Sequence, residues 1–373
     1  MKKYSVIILI STLALITLGI IMVLSASSEY SYWKFENLFK LFKSHLGKVL
    51  LGLFFLITFS IIPYEKLKNY AKPAIIGVVG LLVFTRLFAH SVKGAGRWIN
   101  LGFINFQPTD AAKVALFVFL AALIEKKGEE ISDFKNGFMQ IFVWVLVVAG
   151  LILIQPNISN GILLILIGLS VLYMGGAQLK HIFGSLFACG IAGLTAAMLF
   201  HHSRERIMTY FTSVKTGSGI NTQVEQALLG LGSGGLFGVG FGHSWQSKLF
   251  LPESYGDFIF SILGEEVGFL GVIIVLLIYL LIFVSGIIIA KNTKDKYGQL
   301  LAFGISFSII VYAFVNVAVT AGMFPTTGLP LPFISYGGTS IAFVCMSVGI
   351  LINIGLRNAK LIDEEAKLKV RTA

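Results

Sequence analysis

Charge is what this chain has least of. Of its 373 residues 13% are Asp, Glu, Lys or Arg and 56% are hydrophobic, where a soluble domain carries about a quarter charged. That shortage, with a mean hydropathy of +0.86, excludes a disordered chain and a soluble enzyme with a single anchor. Cysteine is nearly missing: Cys189 and Cys345 both lie in apolar runs, where they behave as small hydrophobes, which excludes a disulfide framework or a thiolate metal site. Neither a Walker phosphate loop nor a zinc spacing such as HExxH occurs, so direct ATP use and a zinc centre have no support. GLGSGG (Gly230 to Gly235) matches GxGxxG, but without the preceding strand that a dinucleotide site requires.

Long apolar runs are what is there. They fall near 5–25, 46–62, 73–90, 111–125, 138–155, 159–175, 179–200, 257–290, 299–322 and 333–356, most of them near the ~20 residues that cross a bilayer. The pattern predicts an all-α polytopic membrane protein of ten transmembrane helices, one domain over 1–373, with a large extracytoplasmic loop at 201–256 between helices 7 and 8. The first run, long enough to span and followed by others, reads as a retained anchor. With the N-terminus cytoplasmic, 17 of the 29 Lys and Arg fall on that side and 11 outside, which places both termini in the cytoplasm. The net charge of +11 is then topology, not a nucleic-acid footprint.

Function is to be sought on the external face, where residues 91–110 and 201–256 mix charges, aromatics and glycines beyond what a connector needs. Asp257 stands there at the mouth of the run DFIFSILGEEVGFLG; it could serve as a helix cap or as an acid–base group. Glu265 and Glu266 follow within the run, about 12 Å deeper on an ideal helix. Only Glu265, about 80° around the axis from Asp257, would share a cavity with it. Lys93, Arg97, Arg204, Arg206, Lys215 and Lys248 are the cations for an anionic ligand, with lipid headgroups as their commoner fate. Lys248 and Arg97 carry more weight because they sit in shaped loops. FPTTGLPLPFISYGG (324–338), which contains Ser335, is irregular backbone expected to line a site.

KGAGRWINLGFINFQPTDAAKVAL (93–116), QALLGLGSGGLFGVGFGHSWQSKLFLPESYGDFIFSILGEEVGFLG (226–271) and PTTGLPLPFISYGGTS (325–340) resemble the SEDS family (FtsW/RodA/SpoVE). The resemblance covers nearly the whole chain. IMVLSASS and PTTGLPLPFISYGG look more like its FtsW branch than its RodA branch. Three positions depart from the family: Gln107-Pro108-Thr109-Asp110 where QPSE is common, Asn157 where a PDxGT motif has its acid, and Tyr255-Gly256 where HT often precedes the Asp.

The resemblance implies a peptidoglycan glycosyltransferase of the cytoplasmic (inner) membrane that polymerises lipid II, its active face extracytoplasmic, with Asp257 as the essential external acid. Lys93, Arg97, Lys248, Glu265, Gln107 and Ser335 are then candidates for substrate binding. Asp257 is also a candidate ligand for a divalent cation, Mg or Mn, and no organic cofactor is expected. The implied partners are lipid II, a class B penicillin-binding protein held through transmembrane contacts and other divisome or elongasome proteins. A lipid II flippase or a non-catalytic scaffold of the division or elongation machinery are the competing classes.

Overall fold

The computed structural model describes residues 1–88, 97–100, 105–199, 201–216 and 222–372. Within them the chain is mostly helical, with one two-stranded ribbon and two longer irregular segments, 234–258 and 321–339. The helices are α1 (Lys2–Phe35), α2 (Lys40–Ile61), α3 (Tyr64–Asn69), α4 (Ala71–Phe88), α5 (Pro108–Lys127), α6 (Met139–Ile154), α7 (Ile158–Gly175), α8 (Leu179–Leu199), α9 (His201–Thr216), α10 (Thr222–Ser233), α11 (Ile259–Asn292), α12 (Lys296–Thr320) and α13 (Ser340–Thr372). The ribbon pairs β1 (Ile99–Asn100) with β2 (Asn105–Phe106), antiparallel, Ile99 opposite Phe106.

Eight of these helical stretches are long and apolar enough to cross a membrane. They coincide with eight of the ten apolar runs read from the sequence. The other two runs are occupied by α5, which carries Asp110 and Lys113 in its first turns, and by α8. The chain is thus an all-α, multi-pass membrane protein. Its exposed side chains include Phe54, Leu87, Phe187 and Leu199, an apolar coat suited to lipid.

Contact between helices is set by small residues, as association within lipid requires. The main packing pairs are α2 with α13, α11 with α12, α1 with α11, α4 with α5 and α6 with α7. A Cβ added at Gly52 of α2 would lie 3.2 Å from Cys345 Sγ of α13, and one at Gly349 would lie 2.5 Å from the Leu56 carbonyl oxygen. These two positions let the α2 and α13 backbones approach.

Helix α11 is broken at Gly268 (φ 72°, ψ −176°), and the glycine-rich segment after α10 fills the break. Val239 and Gly240 donate to the carbonyls of Glu265 and Glu266 at 2.9 and 3.0 Å, while Phe269 and Leu270 donate to Gly235 and Leu236 at 2.9 and 3.2 Å. Four backbone groups released by the break are thereby re-bonded, which a protein interior demands. Any side chain at Gly268 would meet the backbone of Leu236 to Gly238. Gly268→Ala should therefore lower stability by about 1–3 kcal/mol. Gly47, with open space around it in α2, should tolerate the same change or gain up to about 1 kcal/mol; thermal unfolding of the two variants in detergent tests the contrast.

Candidate functional site

Asp257 lies in a turn just before α11, whose cap position is taken by Phe258. Its backbone is fixed from two directions: Asn316 of α12 donates to the Asp257 carbonyl at 2.8 Å and to the Leu329 carbonyl at 2.7 Å. Ser335 donates to the Gly256 carbonyl at 2.8 Å and receives the Leu331 N–H at 2.7 Å, and Tyr336 N–H donates to the Tyr255 carbonyl at 2.9 Å. The half-buried Asp257 carboxylate faces Gly328, where an added Cβ would lie 3.5 Å from Oδ2. Segment 324–338 thus forms a wall around the acid.

Two arginines stand within electrostatic reach of that carboxylate. Arg97, at the start of the ribbon, donates through Nε to the Gln155 carbonyl at 3.1 Å and through Nη2 to the Pro156 carbonyl, just past the C-terminal end of α6. A helix C-terminus favours a cation. Arg206 of α9 donates to the Thr326 carbonyl at 3.3 Å. Burial pulls the Arg97 guanidinium below its ordinary range and the Arg206 charge adds to this, while Asp257 opposes it. Arg206 is lowered by burial and held up by Asp257 in the same way. Both remain cationic, since arginine ionises far above neutral pH.

Other residues expected at the site are placed differently. Lys248 is exposed, its Nζ 4.6 Å from the Trp245 ring centroid. Glu265, expected as an acid in the Asp257 cavity, is 1% exposed and accepts from Ser244 Oγ at 2.5 Å and from the Trp245 and Gln246 amides at 2.9 and 3.3 Å. Its oxygens brace the loop entering α11. The angle read from an ideal helix failed because Asp257 is not on the helix. Glu266 likewise takes the Gly242 N–H at 3.0 Å and the Ser25 hydroxyl. Ser335 and Gln107 work through the backbone, Ser335 on Gly256 and Gln107 by an N–H donated to Thr339 Oγ1 at 3.1 Å. Lys93 lies outside the described residues.

The sequence reading passed over a buried polar line behind this wall. A small cavity of about 50 Å³ between α5, α12, α13 and the loop is lined by Asp110, Lys113, Tyr312, Leu331, Phe333 and Ser335. Lys113 Nζ is 2.9 Å from Asp110 Oδ1 and 4.6 Å from the Tyr312 ring centroid. The Tyr312 hydroxyl donates to Asn160 Oδ1 at 2.8 Å, and Asn160 Nδ2 donates to Asn157 Oδ1 at 2.9 Å. Two charges three residues apart within an apolar run were the available signal.

These features define a class: a helical multi-pass membrane protein with an acid in electrostatic reach of two arginines and a partly charged cavity on the other side of the loop that holds it. The chain belongs to the FtsW/RodA/SpoVE family, whose family model, described as "Cell cycle protein", matches residues 5–360. It is 34% identical to the probable peptidoglycan glycosyltransferase FtsW of Geobacter metallireducens, over 95% of this chain and 96% of that one. The same identity relates it to stage V sporulation protein E of Bacillus subtilis, over 95% and 98%. In fold it matches a chain from a peptidoglycan synthase complex that coordinates polymerization and crosslinking, with a TM-score of 0.76 and 23% identity, covering 94% of this chain and 97% of that one.

The buried pair makes a measurable claim. Lys113→Met leaves Asp110 charged and unpaired, which should cost about 3–5 kcal/mol of stability. Removing both charges, as Asp110→Asn with Lys113→Met, should recover most of that loss in denaturant titration of the detergent-solubilised protein.

Proposed function

We propose that this protein is a peptidoglycan glycosyltransferase that polymerises lipid II, with Asp257 as the general base. The observation that carries the reading is one half-buried carboxylate, fixed through its own backbone, in electrostatic reach of two cations, Arg97 and Arg206. The relatives' names supply the substrate class. An acceptor sugar hydroxyl gives its proton to Asp257 as its oxygen bonds to the anomeric carbon of the donor. The bond from that carbon to undecaprenyl pyrophosphate breaks, and the leaving group departs with its electron pair as an anion. One displacement converts the α-linked donor to a β-linked product. Since pyrophosphate leaves without a proton, one carboxylate suffices, unlike the pair used in glycoside hydrolysis. What the leaving group needs is positive charge, and Arg97 and Arg206 supply it as planar donors matched to phosphate oxygens. Lys93 and Lys248 are assigned to the more distant parts of the same anion or to headgroups.

A divalent cation on Asp257 would find one carboxylate with two guanidiniums nearby. Among the described residues no group of three or more His, Cys, Asp or Glu is placed to hold a metal, so its other ligands would have to be water and substrate oxygens. The two arginines already provide the charge, and no step here passes through a metal.

The remaining assignments extend this reading. The ten helical regions are read as ten crossings forming one domain over 1–373, with 201–256 outside, both termini in the cytoplasm and Asp257 at the extracytoplasmic face; the Lys and Arg distribution supports that orientation. A class B penicillin-binding protein is the proposed partner. The similarity to a chain of a complex coordinating polymerization with crosslinking supports it.

Purified protein incubated with fluorescent lipid II should yield glycan ladders on a gel, and Asp257→Asn should lower their rate by about 10²–10⁴. An unchanged rate in Asp257→Asn would sink the base assignment. Transfer of lipid II across vesicles without any glycan would favour the flippase class instead.

A further inference from the structure

The outer turns of α2 carry an arrangement that the reaction above does not use. Ser44, His45 and Lys48 surround one ring, that of Tyr336. Lys48 is 8% exposed and forms no ion pair among the described residues; its Nζ sits 3.9 Å from the Tyr336 ring centroid. A buried ammonium with no acid is costly, and here an aromatic face is what stabilises it. His45 is fully buried with both ring nitrogens unbonded, its ring 5.8 Å from that of Tyr336. The Tyr336 hydroxyl donates to Ser44 Oγ at 3.2 Å.

Tyr336 is fastened on its other side to the residues that carry the acid. Its N–H donates to the Tyr255 carbonyl at 2.9 Å, and its ring meets that of Tyr255 edge-on at 5.6 Å. The residue before it, Ser335, holds the Gly256 carbonyl. Tyr255 and Gly256 run directly into Asp257, so a chain of bonded groups leads from α2 through one tyrosine to the proposed base.

We infer that Lys48 is a positioning residue for Asp257, acting through the Tyr336 ring. An ammonium over the ring face fixes the orientation of that ring in a way that an apolar side chain of equal volume does not, because the attraction is to the ring's quadrupole. A small displacement of a catalytic group far outweighs its structural size in rate. The inference rests on the reading of Asp257 as base, and its test separates the two.

Lys48→Met, Lys48→Arg, Tyr336→Phe, Tyr336→Leu and the Lys48→Met/Tyr336→Leu pair would be compared for kcat and KM in lipid II polymerisation, and for hydrogen exchange at the Gly256 and Tyr336 amides without substrate. Lys48→Met is expected to lower kcat about tenfold with KM nearly unchanged and to speed exchange at both amides. Lys48→Arg and Tyr336→Phe keep the cation and the ring and should stay near the unsubstituted protein. Tyr336→Leu should match Lys48→Met, and the pair should be no worse than the poorer single variant, as groups acting as one unit behave. The inference is overturned by an unchanged kcat and exchange in Lys48→Met, by a rise in KM alone, which would mean direct contact with substrate, or by additive losses in the pair. Should Lys48→Met fail to fold, Tyr336→Leu against Tyr336→Phe decides by the same criteria. Full activity in Asp257→Asn, or no glycan from the unsubstituted protein, would instead remove the reading of Asp257, while the exchange data would still report whether Lys48 orders its backbone.

Discussion

Irregular backbone inside a membrane protein is tolerated only where its amides and carbonyls find protein partners, and the outer half of this molecule is built around meeting that demand. Helix α11 is interrupted at Gly268, and the segment after α10 re-bonds the groups set free. Its start is fed by a turn whose carbonyls at Tyr255, Gly256 and Asp257 are taken by Tyr336, Ser335 and Asn316. The acid is therefore placed by its backbone, before any side chain interaction is considered.

Scarcity of charge gives each remaining ion a definite task. Glu265 and Glu266 form no ion pair among the described residues; they accept hydrogen bonds from backbone amides of the loop they hold and from the Ser244 and Ser25 hydroxyls. Asp110 and Lys113 satisfy each other beside a cavity. Arg97 and Arg206 rest on backbone carbonyls, which accept hydrogen bonds without cancelling the positive charge. Both feel the Asp257 carboxylate, a distribution suited to an anionic leaving group.

Much of this was legible in the chain itself, in ways that follow physical range. Apolar runs announce helices because burial in lipid is read residue by residue, so each run has its helix. Asp257 was conspicuous because an acid at the edge of a long apolar run is costly wherever it points. The placement of Glu265 was not legible: it depends on where α11 starts and on a loop twenty residues earlier folding back over it. Arg206 stood undistinguished among six cations, since nothing local says that α9 would bring it to Thr326 and Asp257. Lys113 was hidden by its surroundings, an ion inside an apolar run whose partner lies one turn back.

Asn157 is the departure from the family pattern that gains a meaning from the structure. It follows Gln155 and Pro156, whose carbonyls seat Arg97, and its side chain continues into Asn160 and Tyr312, above Lys113. An acid at 157 would stand one residue beyond the Arg97 seat and at the end of a chain of bonds leading to a lysine. With a neutral amide there, no second carboxylate competes with Asp257 for Arg97, and Lys113 is paired with Asp110. The loop that carries Ser335 then separates two charged compartments while belonging to both: it lines the Asp110–Lys113 cavity on one side and holds the Asp257 turn on the other. Close packing leaves such a wall little room to shift, so the same residues that close the cavity also hold the backbone of the acid in place.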